Sequence, residues 1–383
     1  MKIAFYAPLK SPDHPVPSGD REIGRNFMAA LGLAGHDVGL MSDFRSWDGA
    51  GDRRRQRRIR RRGLRIAREL TERLLGERPT ERPRIWFTYH LYHKAPDWVG
   101  PNVAKALRVP YVVAEASHAA KQRNGRWSAG YEAARAGLAQ AAAVVQMNRD
   151  DYAGVADVVG SERVHAIKPF MDLAKWPVPV SRTPIRERIA SLGRISLDSP
   201  WLLSVAMMRP GRKVACFALL ASALQRLLHL PWRYIVVGDG DAASEVRALF
   251  DGPLRDRVHF VGLQTGAALR DYYAAADLFV WPAIGEPLGM TFLEAQALGT
   301  AVVAGRTRGV PDMVADGETG DLTPERDVVA FADAVERLLV DTERRTRFRS
   351  RARPYVEAEH SLAAASVRLD ALMRSLADVR SGP

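Results

Sequence analysis

Short, wholly apolar stretches, each followed by a helix-length segment, repeat along almost the entire chain, and this alternation limits the fold more than any other feature. In the first half the stretches are Lys2 to Leu9, Asp37 to Met41, Ile85 to Thr88, Tyr111 to Ala114 and Ala143 to Met147, with a helical pattern through Ile23, Phe27 and Leu31 after the first. Strands that are apolar throughout are buried on both faces, which predicts a mostly parallel sheet covered by helices. A second series, Trp201 to Val205, Tyr234 to Val237, His259 to Val261, Leu278 to Trp281 and Thr300 to Ala304, predicts a second such sheet. Between the series lie Pro169, Pro177, Pro179 and Pro184, which exclude a continuous helix or a central strand and mark a linker. The predicted division is two α/β domains, residues 1–170 and 171–355. Residues 356–383 follow as a helix, with Leu362, Val367, Leu369, Leu372 and Leu376 giving it an apolar side that returns to the first domain.

With 383 residues, 47% of them hydrophobic and 26% charged, the chain is long enough for two ordinary cores and too balanced to be disordered or fibrous. The single cysteine, Cys216, excludes an internal disulfide and fits a reducing compartment. No apolar run approaches the roughly 20 residues a membrane-spanning helix needs. Pro8 and Lys10 interrupt the N-terminal apolar stretch too early for a signal peptide. A cytoplasmic location is the expectation.

The net charge is +12, yet fourteen Arg against five acids between Gly51 and Arg84 place +9 of it in one segment. Ten Arg fall between Arg53 and Arg68, while Ile59, Gly63, Ile66, Leu70 and Leu74 recur at steps of three and four. This predicts a basic amphipathic helix within 53–78, suited to an anionic membrane surface. A solvated loop is the plainer reading. Nucleic acid is not the expected partner, because neither a binding module nor interleaved aromatics accompany the charge.

The segment richest in chemical information is Gly285 to Gly299, which follows the apolar stretch at 278–281. Pro287 and Gly289 predict a loop, and the next helix runs to a stop at Gly299. The amides of Leu288, Gly289, Met290 and Thr291 would then stand at a helix N-terminus beyond the carboxyl end of a parallel strand, a natural place for a phosphate. Glu286 precedes that helix and Glu294 lies one turn inside it. Taken alone, the plainer reading is that Glu286 caps the helix electrostatically and Glu294 is solvated surface.

Five pieces occurring in order give these acids a context: Val236-Val237-Gly238-Asp239-Gly240, Arg257-Val258-His259-Phe260-Val261-Gly262, the Glu286-to-Glu294 segment, Arg308-Gly309-Val310-Pro311-Asp312, and Asp316-Gly317-Glu318-Thr319-Gly320. Together they resemble the donor site of the retaining glycosyltransferases of family 4, over about 150 residues. The resemblance implies the GT-B fold, two Rossmann-like parallel-sheet domains facing across a cleft. It also implies sugar transfer from a nucleotide-diphosphate donor; two fixed cations and helix N–H groups would stabilise the departing diphosphate with no metal or other cofactor, and the basic helix suits a glycan or lipid-linked envelope acceptor. In that family the first Glu contacts the donor sugar and the second the ribose, which assigns Glu286 and Glu294. Gly238, Gly240 and Val261 join the donor-binding set with Leu288 to Thr291. A Lys and an Arg clamp the diphosphate; Arg209 and Lys213 are the favoured pair, with Arg212 as the alternative to Lys213.

In the first domain, Pro17-Ser18-Gly19-Asp20 resembles the family's glycine loop near the donor phosphates, with Gly19 allowing close approach; a turn with a helix cap explains it equally. The resemblance implies a His at a strand end near the sugar, here His118. His90 and Glu115, also at strand ends, are acceptor candidates. Two metal readings, Asp239-Gly240-Asp241 and His90 with His93, lack a third ligand. Other function classes consistent with the residues are a GT-B phosphorylase, a sugar-nucleotide epimerase, or a non-catalytic protein that binds membrane or RNA surfaces.

Overall fold

The computed structural model describes residues 1–16 and 18–378; Pro17 of the glycine loop and residues 379–383 of the expected C-terminal helix lie outside the described residues. The chain divides into two compact units, the first comprising Met1–Met171 and the segment from Leu362, the second Asp172–Ser361.

Unit 1 runs β1 (Lys2–Tyr6), α1 (Gly19–Leu33), β2 (Asp37–Ser42), α2 (Arg53–Gly76), β3 (Ile85–Leu91), α3 (Gly100–Leu107), β4 (Tyr111–Ala116), α4 (Ser128–Gln140), β5 (Ala143–Gln146), α5 (Tyr152–Val159) and β6 (Val164–Ala166). Its six strands are all parallel, in the order β2-β1-β3-β4-β5-β6. Apolar residues on both faces of the sheet explain its burial: Ile3, Phe5, Ile85, Phe87, Val112 and Val144 are all 1% exposed or less.

Unit 2 runs α6 (Thr183–Gly193), β7 (Trp201–Val205), α7 (Arg212–Arg226), β8 (Arg233–Val237), α8 (Ala243–Ala248), β9 (Val258–Phe260), α9 (Gly266–Ala275), β10 (Leu278–Trp281), α10 (Met290–Ala297), β11 (Ala301–Arg306), α11 (Val310–Met313), β12 (Gly320–Pro324), α12 (Val328–Val340) and α13 (Thr342–His360). The sheet is again six-stranded and parallel, ordered β12-β11-β10-β7-β8-β9. Counted from β7, this is the Rossmann order 3-2-1-4-5-6. The last strands of the two sheets, β6 and β12, escaped the sequence reading, since three and five residues with exposed or polar members carry no continuous apolar signal.

Residues 356–360 belong to α13, which the buried residues Phe348, Ala352 and Val356 carry straight through Pro354. The returning helix, α14 (Leu362–Asp378), therefore begins at Leu362 and not at 356. It packs along α1, with Leu369 and Met373 buried, His36 Nε2 lying 3.0 Å from Asp370 and Arg84 donating to the Ala377 carbonyl.

The arginine-rich segment is a helix, α2, capped by the Asp52 carboxylate. Its apolar stripe is not available to lipid: Gly63, Ala67, Leu70 and Leu74 are buried in the unit's own core, and Ile59 and Ile66 pack against it. Gly63 makes this possible, because a Cβ there would come within 2.5 Å of Trp98. All ten Arg from Arg53 to Arg68 are exposed.

Candidate functional site

The strand order of unit 2 reverses between β7 and β10, and the loops beyond the carboxyl ends of two such strands form the crevice where open α/β sheets bind ligands. Here those loops are 206–211, which leads into α7, and 282–289, which leads into α10. Gly289 takes φ +68° and α10 starts with no side-chain cap. An added Cβ at Gly289 would also strike the Phe292 ring at 2.7 Å, so glycine is required there twice over. The amides of Leu288, Gly289, Met290 and Thr291 meet no acceptor among the described residues. α7 likewise begins at Gly211, φ +84°, without a side-chain cap. Two uncapped helix N-termini thus belong to one switch point, and their free N–H groups and dipoles favour an anion.

Lys213 Nζ donates to Glu286 Oε2 at 2.5 Å and lies 5.2 Å from the centre of the Trp281 ring. Arg212 donates to the Gly285 carbonyl at 2.9 Å, bracing the loop. Arg209 is exposed, its guanidinium against Met207 Sδ. Of the three basic residues considered for a diphosphate, Lys213 is the one placed beside Glu286. Glu294, on α10, accepts from the Tyr273 hydroxyl at 2.7 Å; burial raises its carboxyl, and the Tyr273 hydrogen bond only partly offsets that. Cys216 lies behind the loop, its Sγ accepting from the Ile284 amide, and burial pushes its thiol up to about 11, which makes it inert.

Gly238 and Gly240 have a packing role within unit 2. A Cβ on either would overlap the carbonyl of Ala206 (1.9 Å) or Met208 (2.4 Å), so these glycines let the β8 loop lie flat on the β7 loop. Asp239 completes that contact by accepting from the Met208 amide through its carbonyl. Val261 is also engaged within the protein: its amide donates to Val236 and its carbonyl accepts from Gln264. Among the described residues, no group of three or more His, Cys, Asp and Glu could hold a metal ion.

In unit 1 the corresponding strand ends hold His90, Glu115 and His118. Both ring nitrogens of His118 are engaged within the protein, Nδ1 by the Gly154 carbonyl and Nε2 by the Tyr131 hydroxyl, each at 3.0 Å. Glu115 is turned to the β5 end, where it accepts the Met147 amide, and burial raises its carboxyl. That carboxylate anchors backbone. His90 instead pairs with Asp20 through Nδ1 at 2.9 Å. Gly19 opens α1, with Ser18 as its cap and open space where a Cβ would stand. His93 is half-buried, its two ring nitrogens inaccessible and without a partner among the described residues, and desolvation depresses its basicity. Sequence reasoning missed Asp20 and Tyr273: the first followed the glycine of a predicted turn, and the second was one apolar residue in a helix.

With this geometry in place, comparison with known proteins defines the class. Residues 199–341 match the family of glycosyl transferases group 1. A D-inositol 3-phosphate glycosyltransferase of Xylanimonas cellulosilytica is 32% identical over 56% of this chain and 53% of its own length. A lipopolysaccharide core biosynthesis glycosyltransferase of Rhizobium meliloti is 36% identical over 43% of this chain and 48% of its own. The chain spans about half the length of these relatives. Among solved structures, Anabaena HepE in complex with UDP superposes with a TM-score of 0.71, covering 98% of this chain and 100% of that one at 18% identity. Sucrose-phosphate synthase from Thermosynechococcus elongatus gives 0.68 over 98% and 99% at 21% identity. The fold is GT-B, and residues 199–341 match the model of the glycosyl transferases group 1, in keeping with the family 4 resemblance in the sequence.

Proposed function

We propose that this protein moves a sugar from a nucleoside-diphosphate donor to a hydroxyl on a glycan or lipid-linked envelope acceptor, with retention at the anomeric carbon and without a divalent metal. The observation that carries the reading is the set of four amides at 288–291, unpaired among the described residues, beside a loop whose Glu286 is paired with Lys213 of α7. As the bond from the anomeric carbon to the phosphate oxygen breaks, its electron pair passes to the diphosphate, and preorganised N–H groups with Lys213 stabilise that charge without reorganising. Glu286 accepts from donor-sugar hydroxyls and Glu294 from the ribose. For donor binding, Lys213 exchanges its bond to Glu286 for one to phosphate. The acceptor attacks from the leaving-group face, and its proton goes to a phosphate oxygen.

Structures similar in fold contain UDP and UDP-glucose, which makes UDP-glucose the first donor to test, and the inositol-phosphate relative makes D-inositol 3-phosphate the first acceptor. Thermal unfolding with UDP and UDP-glucose is the experiment. A ligand at a hundred times its Kd adds about 2.7 kcal/mol of stability. No shift with any nucleotide sugar at millimolar concentration would remove the proposal. Release of UDP only when acceptor is present separates transfer from phosphorolysis or epimerisation.

The exposed cations of α2 favour peripheral attachment to the cytoplasmic membrane face by charge alone, at about 1 kcal/mol per Arg, because the helix's apolar stripe is already buried. Binding to phosphatidylglycerol vesicles should then collapse as salt rises, and salt-insensitive binding would rule the charge mechanism out.

A further inference from the structure

In unit 1 the strand order turns between β1 and β3. The chain leaving β1 reaches Asp20 in the first turn of α1, and β3 carries His90 near its end, so these two residues belong to that sheet's own switch point. His90 Nδ1 lies 2.9 Å from Asp20 Oδ1. The backbone around them is unusual: His90 has φ +66° and Glu115, on the neighbouring strand, φ +54°. Tyr89 pairs with Ala114 and Leu91 with Ala116, which leaves the two left-handed residues level with each other on adjacent strands. Left-handed backbone is unfavourable for an L-residue. Such strain persists where surrounding bonds over-determine it, and it concentrates where a side chain has to be aimed. Here Glu115 is fixed by the Met147 amide and His90 by Asp20.

Burial alone would raise the Asp20 carboxyl, but the hydrogen bond from His90, together with the charges of Lys10 and Arg45, holds it below the ordinary carboxylate range. Asp20 is therefore an ionised acceptor, and the proton between it and the ring sits on Nδ1. The groups facing this ring are Asp20 from α1, Glu115 from β4, and the edges of Tyr89 and Tyr92, at 5.7 and 5.1 Å between ring centres. His90 Nε2 has no partner among the described residues, and 28% of the side chain is exposed.

We propose that Asp20 and His90 form a fixed hydrogen-bond acceptor for a substrate hydroxyl, in which Asp20 is the positioning residue that keeps the proton on Nδ1 and Nε2 offers its lone pair outward. The inference rests on the transferase reading for the nature of the hydroxyl-bearing molecule, an acceptor polyol or sugar. It gives the role that sequence resemblance assigned to His118 to a ring whose second nitrogen is open.

The test is nitrogen NMR on the full chain labelled with 15N-histidine, at about pH 8 so that imidazoles are neutral, with His90→Gln identifying the His90 signals among nine histidines. Nδ1 should be protonated and Nε2 not. Titration with D-inositol 3-phosphate or methyl α-D-glucopyranoside, with UDP present, should move the Nε2 resonance. Asp20→Ala should mix the tautomers and weaken binding of the responding probe about tenfold, the size of one hydrogen bond to an oriented group. Asp20→Glu should restore both. Circular dichroism of each variant separates these effects from unfolding. A protonated Nε2 in the wild type, an Nε2 signal unmoved by both probes, or an Asp20→Ala variant with unchanged tautomer overturns the proposal. UDP binding in the same samples reports on unit 2, so a protein that binds UDP yet leaves Nε2 unmoved loses the dyad and keeps the donor site.

Discussion

The two units share a parallel six-stranded sheet and a strand-order reversal, yet they equip that reversal differently. Unit 2 offers backbone: unpaired amides at 288–291, two uncapped helix starts, and glycines at 285, 289 and 211 in left-handed conformation. Unit 1 offers side chains on strained backbone, with left-handed His90 and Glu115 where unit 2 uses glycine. Backbone N–H groups on glycine loops suit a diffuse anion approached closely from several directions. An imidazole locked by a carboxylate suits a single directed hydrogen bond. On the proposed reading, the sheet of unit 2 serves a charged group and that of unit 1 a hydroxyl.

The largest expected effect lies at the opposite end of the β10 strand and serves as a control on this contrast. Asp277, just before β10, accepts from Arg182 and Arg186 at 2.7 Å, from Arg349 at 3.4 Å and from the Trp201 amide. Asp277→Ala leaves three cations without their shared partner, and unit 2 should lose on the order of 3–5 kcal/mol in urea unfolding. Burial would raise this carboxyl, but Arg182 and Arg186 outweigh it and hold it below its usual value. Its contribution is therefore complete above the unfolded carboxylate pKa and fades as pH falls toward the folded one; the wild type should lose stability in acid while Asp277→Asn shows less of that slope. A flat urea midpoint between neutral and acidic pH for the wild type would contradict this.

Glu286→Gln comes next. It keeps the shape of the loop and removes the charge that pairs with Lys213, so kcat should fall on the order of 10²–10³-fold while the melting temperature barely moves; turnover at the wild-type rate would break the assignment of unit 2 as the charged end. The smallest effect is expected at His118. Replacing it with Ala removes two internal hydrogen bonds and should cost unit 1 about 1–2 kcal/mol, with no change in acceptor KM. A raised KM at unchanged stability would return to His118 the role proposed for His90.

Much of this was legible along the chain. The sheets announce themselves because strands buried on both faces must be apolar throughout, and the anion loop does so because Pro287, Gly289 and the stop at Gly299 are local backbone requirements. Where one side chain meets another across distant elements was not legible. Gly238 and Gly240 look like ligand glycines until Ala206 and Met208 are seen beneath them. The stripe on α2 reads as a lipid-facing surface until Trp98 and Phe44 fill it. His118 and His90 are equivalent in sequence, and only their neighbours distinguish them.

Composition, periodicity and glycine placement thus determined the sheets, their helices and the uncapped α10 start, all of which follow from backbone geometry and burial within a few residues. Tertiary structure decided which histidine keeps a free nitrogen, that Lys213 and not Arg212 meets Glu286, and that α2 turns its apolar side inward. Those outcomes depend on contacts between separate elements, such as Asp20 with His90 and Lys213 with Glu286, and no local propensity encodes them.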